Sequence, residues 1–162
     1  MNGETKSSVH RGKGFRCSRG FTLLELMIAI TLAGVLVTMG VPNYKKVVDN
    51  ARITQAIGDI RSLEKDMLSF ETVNGRVPKN LDEINRGGLE DPWGNPYRYL
   101  SLAESNLGSM RKDRWLVPLN SSYDLYSCGK DGKTALPITA AQSFDDIIRA
   151  NDGGFIGLAS NY

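Results

Sequence analysis

From Phe21 to Val41 the chain reads FTLLELMIAITLAGVLVTMGV, an apolar run in which Glu25 is the one ionisable residue. Wound as a helix, about 21 residues measure roughly 31 Å, enough to cross the hydrocarbon core of a bilayer. The residues before it include Lys6, Arg11, Lys13, Arg16 and Arg19 against the single acid Glu4. A basic flank on that side predicts that the N-terminus stays cytoplasmic while the rest of the chain is exported. An ordinary secretory signal is the bland competitor, with Thr38 and Gly40 loosely imitating its cleavage site. Against it, the apolar run is too long, the basic region is extended, and the apolar pattern continues as an amphipathic helix beyond the supposed cut.

Glu25 is the residue that most needs an explanation. A carboxylate at membrane depth costs several kcal/mol without a partner and so marks a functional position. Cleavage between Gly20 and Phe21 would create a positively charged α-amino group at the head of the helix, which Glu25 of an adjacent copy could pair with. A carboxylate near a helix start that reaches the headgroups and favours the helix dipole is the structural alternative.

Charge and composition narrow the chemistry further. The formal net charge of the whole chain is +2, but the excess of bases lies in the first twenty residues, and the remainder carries a small excess of acids. No basic stripe of the kind that binds nucleic acid is visible there. The only histidine, His10, and one of the two cysteines, Cys17, precede the apolar run; the body keeps Cys128 alone. That composition disfavours a histidine general base, a Cys/His zinc site and an internal disulfide, and Cys17 is placed wrongly for lipid attachment. Cys128 reads as a small buried residue.

The stretch Arg19-Gly20-Phe21-Thr22-Leu23-Leu24-Glu25-Leu26 resembles the processing site of type IV pilins and of the pseudopilins of type II secretion. The resemblance implies that a prepilin peptidase cuts after Gly20, that Phe21 is then N-methylated, and that Glu25 serves filament assembly. Pro42 matches the proline that commonly follows the membrane segment in that superfamily.

Beyond Pro42 the spacing of Ile53, Ile57, Ile60, Leu63, Met67 and Phe70 draws one apolar stripe on a helix. Pro42 predicts a kink or a short melted segment just before it. Asn74-Gly75 and Val77-Pro78 signal the end of the helix, and a second short helix is expected over residues 79–86, capped by Asn80 with Glu83 three residues later. Strands are expected over residues 97–102, 115–119 and 123–127, forming a small antiparallel sheet. The fold class is therefore α+β and pilin-like: a long N-terminal helix, membrane-spanning in its first half, packed on that sheet. The implied organisation is a cleaved leader at 1–20, a membrane and polymerisation helix at 21–42, its soluble continuation at 43–72, and a β-rich C-terminal domain at 73–162.

Asp91-Pro92-Trp93-Gly94-Asn95-Pro96-Tyr97, together with Tyr123-Asp124-Leu125-Tyr126-Ser127 and Gly129-Lys130-Asp131-Gly132, resembles the C-terminal domain of the major pseudopilin. In that family the second segment opens a calcium-binding loop. The resemblance implies calcium held by Asp131, Asp145 and Asp146 with the backbone carbonyl of Cys128, and Asp152 as a weaker addition. Read without it, Asp131-Gly132 is a hairpin turn and Asp145-Asp146 a helix start, and no EF-hand spacing is present.

The expected function is that of a structural subunit of the type II secretion pseudopilus, supporting protein export across the outer membrane. Its expected partners are copies of itself in a helical filament, the prepilin peptidase, the inner-membrane assembly platform and minor pseudopilins, with no nucleic acid. It would sit in the inner membrane as a single-pass protein with a periplasmic C-terminal domain, then in a periplasmic filament. A subunit of a surface type IV pilus, for adhesion or motility, is the alternative. A membrane-anchored periplasmic enzyme or binding protein is the remote one: the chain has no GxSxG, P-loop or dinucleotide-binding glycine pattern, and adjacent Asp145 and Asp146 would point apart in an extended chain.

Overall fold

The structure is a computed structural model that describes residues 20–162, the side chains at 39, 40, 42 and 43 excepted. The basic leader, with His10 and Cys17, lies outside the described residues. The chain divides into two compact units, Met1–Pro42 and Asn43–Tyr162.

The helix α1 runs over Leu23–Asn74 as one helical element, without the melted segment that Pro42 allowed for. It stops where the sequence says it must. Gly75 takes φ 68°, a left-handed conformation that glycine adopts without strain, and its N–H donates to the Glu71 carbonyl at 2.8 Å. The expected second helix is a short 3-10 turn, Leu81–Ile84, whose N-cap Asn80 accepts the Glu83 N–H at 3.2 Å. Asn85 closes it in the left-handed region.

Four strands follow: β1 Arg98–Ser101, β2 Tyr123–Ser127, β3 Ile147–Ala150 and β4 Phe155–Leu158. They form one sheet in chain order, and every neighbouring pair is antiparallel. The architecture is thus α+β, a helix on a four-stranded antiparallel sheet, as the pattern of one striped helix followed by strand signals implied.

Two of the strands lie in the region after residue 132, where no strand was expected, and the expected strand over 115–119 is a chain reversal. There the Asp113 carboxylate accepts the N–H groups of Trp115 and Val117 at 2.7 and 2.9 Å, and Leu116 between them takes φ 60°. A side chain that gathers two backbone donors offers the chain an alternative to a sheet ladder, so Trp115, Leu116 and Val117 end up exposed at a turn.

The sheet is buried on both sides. Against one face pack Ala56, Ile60, Leu63 and Met67 of the helix, meeting Tyr97, Tyr123, Leu125, Ile147 and Ile156. The spacing of those helix residues, four, three and four, keeps them on a single face. The other face is covered by long connections, with Leu119, Ile138, Ile148, Ala150 and Ala159 forming a second cluster. Arg149 of β3 fastens sheet to helix: its Nε donates to Glu64 at 2.8 Å, and its guanidinium lies 4.1 Å over the Tyr123 ring.

Candidate functional site

Two places carry the residues singled out from the sequence, the head of α1 and the loop between β2 and β3. At the head of α1, Thr22 precedes the first helical residue and its hydroxyl accepts the Glu25 N–H at 3.2 Å. Thr22-x-x-Glu25 therefore has the spacing of a capping box, a signal present in the sequence but not singled out there. The cap fixes where the helix begins, which places Glu25 in its first turn, where an acid complements the dipole. Gly20, Phe21 and Glu25 are exposed, as are Leu23, Leu24, Leu26, Met27 and Ile28 behind them. No ion pair among the described residues involves Glu25.

Among the described residues no helix is long and apolar enough to cross a membrane.

In the globular unit, the two segments that suggested a pseudopilin domain pack on each other. Asp91 is buried, and one of its oxygens accepts the N–H groups of Trp93 and Asn95 at 3.0 and 2.8 Å. Its other oxygen accepts the Ser127 hydroxyl at the end of β2. Asn95 then donates to the Gly129 carbonyl at 2.9 Å. This explains the residue types of the motif: Asp91 organises the turn, Gly94 takes φ 90° within it, and Asn95 holds the next loop.

The loop from Cys128 onward is built on Gly129 at φ 63°, where a Cβ would meet the Asp145 carbonyl at 2.2 Å. That close approach brings Asp131 and Asp145 together. The Asp131 N–H donates to the Asp145 carboxylate at 3.0 Å, while the Asp131 carboxylate accepts the Lys133 N–H at 2.8 Å. Asp131 is exposed and Asp145 half-buried, and Cys128 is buried beside them, its thiol pushed up by burial.

Asp146 is placed differently. It is fully buried and its Oδ2 accepts Arg111 Nη2 at 2.7 Å and the Thr134 hydroxyl at 2.7 Å. Burial pushes its carboxyl up, against the pull of Thr134 and of the Arg111 charge. Asp152 lies elsewhere, accepting the Ser121 N–H and hydroxyl at 2.9 and 2.7 Å. Burial would raise its carboxyl, but those bonds and the charge of Arg149 outweigh it and hold the group low.

Among the described residues no three of His, Cys, Asp and Glu gather as a metal-binding group. As a calcium centre the donor set fits in part. Asp131, exposed, and Asp145, half-buried, offer adjoining oxygens, whereas Asp146 already holds a guanidinium through Oδ2 and keeps only a buried, unpartnered Oδ1. Arg111 and Thr134 gave no signal in the sequence, since their partner in the fold is remote along the chain.

A helix of apolar residues headed by a capped, exposed carboxylate and continued onto an antiparallel sheet defines the pilin-like class of protein. In accord with that, residues 15–41 match the family model described as the prokaryotic N-terminal methylation motif. The chain is 30% identical over 139 residues to the type II secretion system core protein G of Aeromonas hydrophila, covering 73% of this chain and 87% of that protein. To the protein of the same name from Dickeya chrysanthemi it is 32% identical over 119 residues, covering 73% and 74%. To that of Pseudomonas aeruginosa it is 28% identical over 139 residues, covering 73% and 87%. The chain belongs to the type II secretion system core protein G family, the major pseudopilins. No solved structure matches it.

Proposed function

We propose that this chain is the repeating subunit of a type II secretion pseudopilus and that it polymerises through the first half of α1. The observation that carries the reading is the exposed apolar head of α1 with Glu25 in its first turn, in a chain of this family. A water-soluble protein gains nothing from an uncovered helix of Leu, Ile and Met; a subunit that leaves the bilayer for a filament exchanges lipid for its neighbours. In this reading the prepilin peptidase cuts between Gly20 and Phe21, Phe21 is N-methylated, and residues 21–42 anchor the subunit with its C-terminal domain in the periplasm. Glu25 pairs with the new N-terminus of an adjacent copy. The inner-membrane assembly platform and the minor pseudopilins are its further partners. The relatives carry secretion-system names, which favours the pseudopilus over a surface pilus.

Calcium enters the proposal only at the outer edge of the β2–β3 loop, on Asp131 and Asp145 with the Cys128 carbonyl. Two carboxylates make a weak site, of the order of 10⁻⁴–10⁻³ M. Asp146 is the lesser contributor, since its Oδ2 is already paired with Arg111 and only Oδ1 lacks a partner.

Intact-mass analysis of the membrane-extracted protein tests the processing step. The expected chain begins at Phe21 and carries one added methyl group. A chain beginning near Val41 would establish an ordinary secretory signal instead.

A further inference from the structure

The loop between β2 and β3 brings acids together, and the structure supplies them with a cation from inside the chain. Arg111 is 2% exposed and Asp146 0%. The guanidinium donates through Nη2 to Asp146 and through Nη1 to the Thr134 hydroxyl, which itself donates to the same Asp146 oxygen. It stacks 4.5 Å over the Tyr126 ring of β2, and the Arg111 backbone N–H donates to the buried Asp124 carboxylate. One side chain thus ties the β1–β2 connection, strand β2, the β2–β3 loop and the residue just before β3.

Arg111 holds Asp146 Oδ2 at 2.7 Å, and a divalent ion at the carboxylate's other oxygen, the buried and unpartnered Oδ1, would still lie close to the guanidinium. Two cations that close, at a site removed from water, repel strongly. The guanidinium already balances the Asp146 charge, so a metal at this carboxylate would add an uncompensated double charge there. The guanidinium has the advantage of being covalently attached, so no free-ion concentration governs its occupancy. We propose that Arg111 is the resident cation of this loop, holding Asp146 and the start of β3 in place so that the fold of the globular unit does not depend on calcium. The inference is independent of filament assembly and concerns the monomer's own stability.

The test compares melting of the detergent-solubilised full-length protein, followed by tryptophan fluorescence, in about 1 mM calcium chloride and in excess chelator. The wild type should melt at temperatures within about 2 °C of each other, the margin left for a weak ion at Asp131 and Asp145. Arg111→Gln strands a buried carboxylate and should lower Tm by roughly 10 °C or more. The charge-neutral double variant Arg111→Gln with Asp146→Asn should recover at least half of that loss, which a purely steric role for Arg111 would not produce. A wild-type Tm that falls by more than about 5 °C on chelation would overturn the proposal, as would a single variant that melts with the wild type. Should the single variant fail to fold, the wild-type comparison and the double variant still decide.

Discussion

Tyr97, Tyr99 and Tyr123 show at the residue scale how the domain's interior constrains ionisable groups. Burial raises all three phenols, and Tyr97 further donates to Asp59 of α1 at 2.9 Å. Tyr99 and Tyr123 are each pushed up to about 12 from an ordinary 10. Because the folded state keeps these protons longer than the unfolded chain does, stability is full below about pH 10 and declines as pH rises towards 12. Ultraviolet titration should find at least two tyrosines ionising only as the protein unfolds in that interval; six tyrosines titrating freely near pH 10 would show the phenols to be accessible. Single residues also set the limit of what the sequence reveals about the candidate sites. Gly20, Phe21 and Glu25 could be singled out as candidates because their proposed roles are local, fixed by spacing at the head of one helix. Arg111 was not: its partner Asp146 lies 35 residues away, and only the fold brings the two together. The same holds for Asp145 and Asp146, adjacent in sequence yet one half-buried in the loop and the other fully buried just before β3.

At the scale of elements, α1 was readable nearly to its last residue, because a stripe with a period near 3.6 ends at Asn74-Gly75 and nothing competes with it. Ala56 was overlooked within that stripe since it is small, although it is fully buried. Strands β3 and β4 were missed for a physical reason. Ile147, Ile148, Arg149 and Ala150 are all buried, one face against the helix and the other under the connections, so no alternation of polar and apolar residues marks them. The stretch 115–119 misled in the opposite way, being apolar enough for a strand but held in a turn by Asp113. The helix–sheet contact should dominate the stability of the globular unit. Leu63, 1% exposed at the centre of the stripe, is the residue to truncate: Leu63→Ala should cost about 2–5 kcal/mol in chemical denaturation. A loss under about 1 kcal/mol would mean that the helix is not packed there as described.

For the whole molecule, folding and assembly are served by different parts of the chain. The described hydrophobic clusters draw on residues from 53 onward, while the exposed apolar head of α1 and Glu25 contribute nothing to them. A change at Glu25 should therefore spare the monomer and affect only the filament. The most direct measurement is complementation of a strain deleted for this protein, with secreted protein assayed in the medium and subunit level and processing checked in the same cells. The wild-type chain should restore secretion, while Glu25→Ala should be present, processed and membrane-inserted yet leave secretion at the level of the deletion. Secretion restored in full by Glu25→Ala would remove the charge-pairing account of assembly, and undiminished secretion in the deletion strain itself would contradict the assignment of this chain to the secretion filament.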